Sequence, residues 1–408
     1  MIRRRSLLAL AGLGGAAALL PAGPAQAAAP RTAAPPSTVG PLRTVAPPST
    51  IDLPTPTVGR PVGTTSLHLV DHDRPDPFAP VPGPRELMVQ LWYPAGGTAG
   101  RPRAPYTTPR VAAAIEQGLP LDAGTLALVR PTARVDAPVH PGPLPLLLLG
   151  HGRKGGRSNC TALAEELAAH GYLVAAVDHT YDAAAVEFPD GRVVRSVLSE
   201  DPPDWDAAER AEIAARVGDL RFVTGRLTGR GLPFRVDEER IGVFGHSMGG
   251  AAAAEALRQD PRFRIGLDLD GGLFGSPVPE LGLDRPFLLL TALDDHDTWR
   301  RWREHHHAWG RQLRTLGAGH LSFTDLPHAA LPGNLPSHVP AELCTALLGT
   351  LAPARATELT RGYVRAFADH FLRDRPAPLL DGPSPRHPEV EFRWSRFRTA
   401  AGRRPDGG

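Results

Sequence analysis

Apolar positions along this chain fall into three rhythms. Apolar runs at 144–149, 172–177 and 241–244 predict buried strands, and 263–269 and 286–291 predict two further strands. Alternating patterns predict two more strands. One lies at 64–71 around Leu67 and Leu69, and one at 86–93, stopped by Pro94. The Pro-rich stretch 74–84 joins them as a loop, so they form an antiparallel lead-in. Helical spacing is clearest over 204–227, where Ile213, Val217, Leu220, Val223 and Leu227 share one face. Further helices are predicted at 109–117, from Ser158 or Asn159 to Gly171, from Ala251 to Leu257, and over 297–314, 340–351 and 356–373. Asp190-Gly191, flanked by Val186, Phe188, Val193 and Val194, reads as a hairpin. The Gly- and Pro-rich stretch 95–143 is placed to wall off a substrate pocket.

Strands alternating with helices predict an α/β chain with a mostly parallel, doubly wound central sheet flanked by helices. Ligands bind such sheets beyond the carboxyl ends of the strands. The runs 144–149, 172–177, 241–244, 263–269 and 286–291 lead into Gly150-His151-Gly152-Arg153, Asp178-His179, Gly245-His246-Ser247-Met248-Gly249-Gly250, Asp270-Gly271-Gly272 and Asp294-Asp295. Those five loops carry the candidate chemistry.

With 408 residues and 42% hydrophobic content there is ample material for a buried core. A net charge of +2 gives no general reason to expect nucleic acid or an anionic membrane surface as partner. Arginine almost wholly replaces lysine, a bias that says little about function. Arg3-Arg4-Arg5, the apolar stretch 7–20 and Ala25-Gln26-Ala27 predict a cleaved export signal over 1–27, with the arginines suggesting the twin-arginine route. The apolar stretch is short and broken by Gly12, Gly14 and Gly15, which argues against a retained anchor. Residues 28–60 repeat Ala-Pro-Pro-Ser-Thr and read as a linker, 61–395 as the catalytic domain and 396–408 as a disordered tail. Export leans towards a disulfide between Cys160 and Cys344, the alternative being two separate thiols packed as small hydrophobes. The expected destination is extracellular, and the oligomeric state stays open.

Gly245-His246-Ser247-Met248-Gly249 is a Gly-x-Ser-x-Gly pattern between a strand and a helix. Such a turn holds Ser247 in a strained backbone conformation and lifts its hydroxyl above the sheet edge. The Met248 N–H, at the helix N-terminus, can help bind an oxyanion there. A serine nucleophile needs a base, and the base an orienting acid. The bases available after Ser247 are His296, His305, His306, His307, His320, His328 and His338. His320 stands out because Gly317-Ala318-Gly319 precede it in a loop, whereas His305–His307 read as a solvated helix face. The acid is Asp270, 23 residues past the serine, or Asp294 or Asp295 at the end of the next strand. No Cys/His spacing suggests zinc.

The serine turn, Asp270 in Leu267-Asp268-Leu269-Asp270-Gly271, and His320 in Gly319-His320-Leu321-Ser322-Phe323-Thr324-Asp325 resemble the platelet-activating factor acetylhydrolases of the plasma and isoform II type. Gly150-His151-Gly152 and the stretch from Ala168 to His179 resemble that family too, so the likeness spans roughly residues 60–390. It implies an α/β-hydrolase fold and a secreted serine carboxylic-ester hydrolase for short acyl esters, including the sn-2 acetyl group of phospholipids. It implies Ser247 as nucleophile, Asp270 as acid, His320 as base, and the backbone N–H groups of Met248 and Arg153 as oxyanion hole. Arg153 departs from the apolar residue expected there. No metal or organic cofactor is implied, and the partner is an ester or lipid substrate. Two alternatives stay open: a lipase- or cutinase-like polyester hydrolase, and a non-catalytic binding protein on the same fold.

Overall fold

The computed structural model describes residues 50–397. The predicted signal 1–27, most of the linker and residues 398–408 of the tail lie outside the described residues. The strands, in chain order, are β1 (Ile51–Asp52), β2 (Val62–Pro75), β3 (Pro84–Pro94), β4 (Val129–Arg130), β5 (Arg134–Val135), β6 (Pro143–Gly150), β7 (Leu173–Asp178), β8 (Ala185–Glu187), β9 (Val193–Arg195), β10 (Arg235–His246), β11 (Phe263–Leu269), β12 (Phe287–Thr291), β13 (Gly310–Thr315) and β14 (Val390–Arg396).

Ten of these form the central sheet, in the order β14-β13-β12-β11-β10-β6-β7-β3-β2-β5. From β13 to β7 every neighbour is parallel. The β2–β3 pair is the antiparallel lead-in, and β3 docks antiparallel on β7. The chain steps from β6 outward to β7, then returns across β6 to β10 and continues the other way to β11 and β12. The carboxyl ends of β6 and β10 therefore meet at a topological switch, where Gly150 pairs with Gly245. Helices cover both faces. On one, Trp205–Thr228, Met248–Gln259 and Asp297–His305 bury Ile213, Leu220, Leu257 and Trp299 against the sheet. On the other, Thr161–Ala169 and Pro353–Arg373 bury Leu163, Leu167, Tyr363 and Phe367. The hairpin predicted around Asp190-Gly191 is β8–β9. Among the described residues no helix is long and apolar enough to cross a membrane.

The structure corrects several expectations. The linker does not reach residue 60: β1 pairs with β4, Leu53 is buried, and Thr57 bonds Glu166. Arg361 ties the carbonyls of Pro54 and Thr55 to the helix Pro353–Arg373, so proline here stiffens a packed strap. The helix expected over 297–314 ends at His305, and 310–315 is strand β13. Its polar residues concealed it: Arg311 and Gln312 are buried, with the Arg311 guanidinium among the rings of Trp309, Phe392 and Phe397. β14, which no predicted element anticipated, pairs antiparallel with β13 and runs through Arg396, so the folded chain extends into the segment expected to be tail. Nor is 305–307 a uniformly solvated face. His306 is buried, bonded to the Trp309 carbonyl and packed against Trp302. Cys160 and Cys344 are free thiols, not a disulfide; Cys160 is buried and Cys344 packs at the edge of a separate apolar cluster.

Candidate active site

Close backbone packing shapes the serine turn. A Cβ at Gly249 would lie 2.2 Å from the Gly150 carbonyl oxygen, and one at Gly245 would lie 2.3 Å from the Gly249 carbonyl carbon. Only glycine lets the helix Met248–Gln259 start this near β6. Ser247 then sits at φ 55° and ψ −123°, a conformation that L-residues rarely adopt. The Ser247 N–H donates to Leu269 O at 2.9 Å, which pins the turn to β11. Met248 opens the helix, so its N–H has no partner within it.

Asp270 follows β11 at φ 60°. Its Oδ1 accepts from the Ala292 N–H at 2.7 Å and its Oδ2 from His320 Nδ1 at 2.8 Å. His320 opens a short 3₁₀ turn, His320–Phe323, anchored by Ser322 Oγ, which accepts from Gly319 N–H and donates to Leu348 O. With Nδ1 donating to the carboxylate, Nε2 is the acceptor nitrogen; it is buried and has no hydrogen-bond partner among the described residues. No hydrogen bond joins it to Ser247 Oγ, but both residues line the same two cavities. Catalytic hydrogen bonds commonly tighten only when substrate is bound.

The other candidate carboxylates and most of the other histidines have partners of their own. Asp294 pairs with Arg314 at 3.1 Å and Arg393 at 2.6 Å, and Asp295 with Arg300 and Arg303. His328 bonds Thr357, His338 bonds Asp122, and His305 bonds the carbonyls of Pro279 and Arg301. His296 caps the helix Asp297–His305 and reaches the smaller cavity. His246 bonds the His320 carbonyl at 2.8 Å, and burial with the neighbouring His320 lowers its pKa to about 3. Among the described residues no group of three or more His, Cys, Asp or Glu is placed to hold a metal ion.

Arg153 follows the Gly150-His151-Gly152 turn. Its guanidinium is buried and forked onto Glu212, with Nε to Oε2 at 2.9 Å and Nη2 to Oε1 at 3.0 Å. The charge unexpected at this position is thus paired inside the protein, while no protein acceptor meets its backbone N–H among the described residues. Glu212 was missed at the sequence level. Its signal is a polar stripe on the helix Trp205–Thr228, where Glu209, Glu212, Arg216 and Asp219 are buried at three- and four-residue spacing.

Two cavities flank the serine. A cleft of about 330 Å³ is bordered by Ile115, Leu119, Lys154, Arg195, Leu321 and Leu326. A slot of about 30 Å³ on the other side is bordered by Ile213, Phe274, Leu293, His296 and Trp299. The stretch 95–143 does wall the cleft, through the helix Pro109–Gly118. A hydroxyl in a strained turn, an imidazole with an unbonded ring nitrogen, and a carboxylate behind it are the kinds of group that together can activate a serine for acyl transfer.

A family model described as platelet-activating factor acetylhydrolase, isoform II, matches residues 120–193 and 217–330. A probable 1-alkyl-2-acetylglycerophosphocholine esterase of Arthroderma benhamiae is 30% identical over 268 residues, covering 61% of this chain and 66% of that protein. A platelet-activating factor acetylhydrolase of Cavia porcellus is 28% identical over 37% of this chain and 40% of its own length. The matched stretches therefore span just under two thirds, and well under half, of these curated relatives. A solved ferulic acid esterase from Streptomyces cinnamoneus superposes with a TM-score of 0.78 at 44% identity, over 85% of this chain and 99% of that one.

Proposed function

This chain belongs to the isoform II platelet-activating factor acetylhydrolase family of carboxylic-ester hydrolases, with an α/β-hydrolase fold, and from that premise we propose that it hydrolyses short-acyl esters through Ser247, His320 and Asp270. The observation that carries this reading is the 2.8 Å bond between Asp270 and His320, which borders both cavities beside Ser247 and whose Nε2 has no hydrogen-bond partner among the described residues. His320 takes the Ser247 proton as Oγ attacks the ester carbonyl carbon. The resulting oxyanion accepts hydrogen bonds from the Met248 and Arg153 N–H groups. His320 then gives its proton to the departing alkoxide, leaving an acyl-serine and a free alcohol. Water attacks the acyl-serine, His320 taking its proton and returning it to Ser247 Oγ, and the carboxylic acid leaves. Asp270 holds the imidazole in its Nδ1–H form and stabilises the cation in both halves.

The slot of about 30 Å³ has room for only about two water-sized groups, which suits an acetyl-sized acyl chain. The larger cleft then takes the alcohol, such as a glycerophospholipid. The segment Arg3-Arg4-Arg5 with the apolar stretch after it supports export, so the enzyme would act outside the cell.

A second reading is favoured by the similarity to the Streptomyces esterase: an aromatic acyl group such as feruloyl lies in the cleft and a small alcohol faces the slot. One comparison separates them. Rates are measured on p-nitrophenyl acetate through palmitate, a short-chain acetyl phospholipid, methyl ferulate and a polyester film. The first reading requires acetyl esters to lead; a lead for methyl ferulate establishes the second, and a lead for palmitate or the film establishes the lipase- or cutinase-like alternative. A fluorophosphonate that fails to label Ser247 removes the acyl-transfer reading altogether.

A further inference from the structure

The peptide joining Gly152 to Arg153 is gripped from behind. Its carbonyl oxygen receives three donors: His151 Nδ1 at 2.6 Å, the Gly155 N–H at 2.9 Å and Arg216 Nη2 at 3.3 Å. The neighbouring His151 carbonyl accepts from Arg216 Nη1. Asp182 joins the two sides of the loop: Oδ2 accepts from Arg216 Nε at 2.7 Å, and Oδ1 accepts from the Lys154 N–H at 3.2 Å. The tautomer of His151 is settled by its surroundings. Nε2 faces the backbone N–H of His179 at 3.2 Å, which can only donate, so Nδ1 carries the proton and donates to Gly152.

A trans peptide points its N–H opposite to its C=O. Fixing the Gly152 carbonyl into this cluster therefore turns the Arg153 N–H the other way, to the side where Gly152 adjoins the serine. A Cβ on Gly152 would stand 3.3 Å from the Cβ of Ser247. A guanidinium bonded to that carbonyl also draws electron density from the amide, which makes its N–H the better donor.

We propose that Arg216, with Asp182 and His151, is the positioning set that aims the Arg153 N–H as an oxyanion donor. The proposal rests on the acyl-transfer reading above. The arrangement comes from one helix: Glu212 and Arg216, four residues apart on Trp205–Thr228, hold respectively the side chain of Arg153 and the two carbonyls before it. Arg216 touches neither cavity, so its effect on the reaction passes through the loop.

The test uses full-length Arg216→Met and Arg216→Lys, with kcat and KM on p-nitrophenyl acetate. Affinity is read for a trifluoromethyl ketone, whose adduct carries the oxyanion, and for a planar acetamide analogue, which lacks it. Mis-aiming one donor should lower kcat roughly 10- to 100-fold, somewhat less than the ~10²–10³ for deleting one. Ketone affinity should fall in parallel, while KM and amide affinity stay within about threefold and the lysine variant recovers part of the loss. A kcat and ketone affinity within about threefold of wild type would overturn the proposal. So would equal losses for the ketone and the amide, because general disruption of the site weakens both. If Arg216→Met does not fold, Asp182→Asn, which keeps an acceptor for Lys154, should show the same selective pattern at smaller size, and its absence counts equally against the idea. Wild-type labelling at Ser247 by a fluorophosphonate is scored separately. Failure there defeats the acyl-transfer reading, whereas successful labelling with indifferent Arg216 variants defeats only the positioning role.

Discussion

Asp270 and His320 stand 50 residues apart in the chain and 2.8 Å apart in space. The register of the sheet makes that contact. Asp270 leaves β11 with its N–H bonded to Leu290 O of β12, its Oδ1 is held by the Ala292 N–H, and only Oδ2 is left to meet the imidazole.

Asp270→Asn should lower kcat on p-nitrophenyl acetate by about 10³–10⁴, because an amide cannot stabilise the imidazolium and can impose the wrong tautomer. Asp294→Asn should change kcat less than about twofold, since Asp294 pairs at the surface with Arg314 and Arg393. Steady-state kinetics of the two variants side by side checks this. A larger loss at Asp294 would reassign the acid.

Phe274 borders the slot beside Ser247. If the slot holds the acyl group, Phe274→Ala should raise the propionate-to-acetate ratio of kcat/KM by about tenfold, in line with the ~1–3 kcal/mol that one methylene is worth in an apolar pocket. An unchanged ratio would move the acyl group to the cleft.

Gly249→Ala puts a methyl group 2.2 Å from the Gly150 carbonyl oxygen, and its three nearest neighbours are all backbone atoms of Gly150 and His151, with no side chain to yield. The protein should lose at least ~2 kcal/mol of stability, visible as a drop in Tm of several degrees, along with its activity. A variant with wild-type Tm would show that the serine helix can back away from β6.

His151 and His246 are buried and neutral, their pKa values lowered to about 3 chiefly by desolvation. An unfolded histidine titrates near 6.5. Between pH 6.5 and 3 the unfolded chain therefore binds protons that the native chain does not, and stability falls as pH falls through that window. Urea midpoints at pH 7, 5 and 4 check the sign. His246→Asn, whose side chain does not titrate, should show a shallower decline than wild type whatever its starting stability.

Asp325 acts in the opposite direction. Burial raises its carboxyl pKa to about 8, against hydrogen bonds from Ala162 N–H that lower it. The native state then holds a proton that the unfolded chain releases near pH 4, so this group's stabilisation is complete below pH 4 and is lost as pH rises to about 8. Asp325→Asn should flatten the stability profile between pH 4 and 8 in the same urea series extended to pH 8; an unaltered slope would mean that the carboxylate is ionised in the native protein.

Much of this was legible in one dimension because it depends on near neighbours. Apolar runs marked β6, β7, β12 and the carboxyl half of β10, since a strand covered on both faces has little polar side to show, and β11 was legible although Arg264 and Asp268 interrupt its apolar residues. The serine turn declared itself through glycines at fixed offsets, as close backbone approach excludes a Cβ. What misled was polarity inside the fold. Arg311 and Gln312 hid β13, and without β13 there was no partner to make Val390–Arg396 a strand. Cysteine count and a predicted export signal favoured a disulfide, but the two thiols pack in different clusters.

The amino-acid order by itself determined the alternation of strands and helices, the strained serine turn, and a short roster of acids and bases. Only the tertiary structure decided which of them meet, because the choice between Asp270 and Asp294 turns on where β11 and β12 end relative to one loop. It also decided that a helix read as an apolar stripe carries Glu212 and Arg216 on a second buried face. A charge can be buried only when a partner neutralises it, and that partner, Arg153 for Glu212, lies 59 residues away in sequence, beyond the reach of any local pattern.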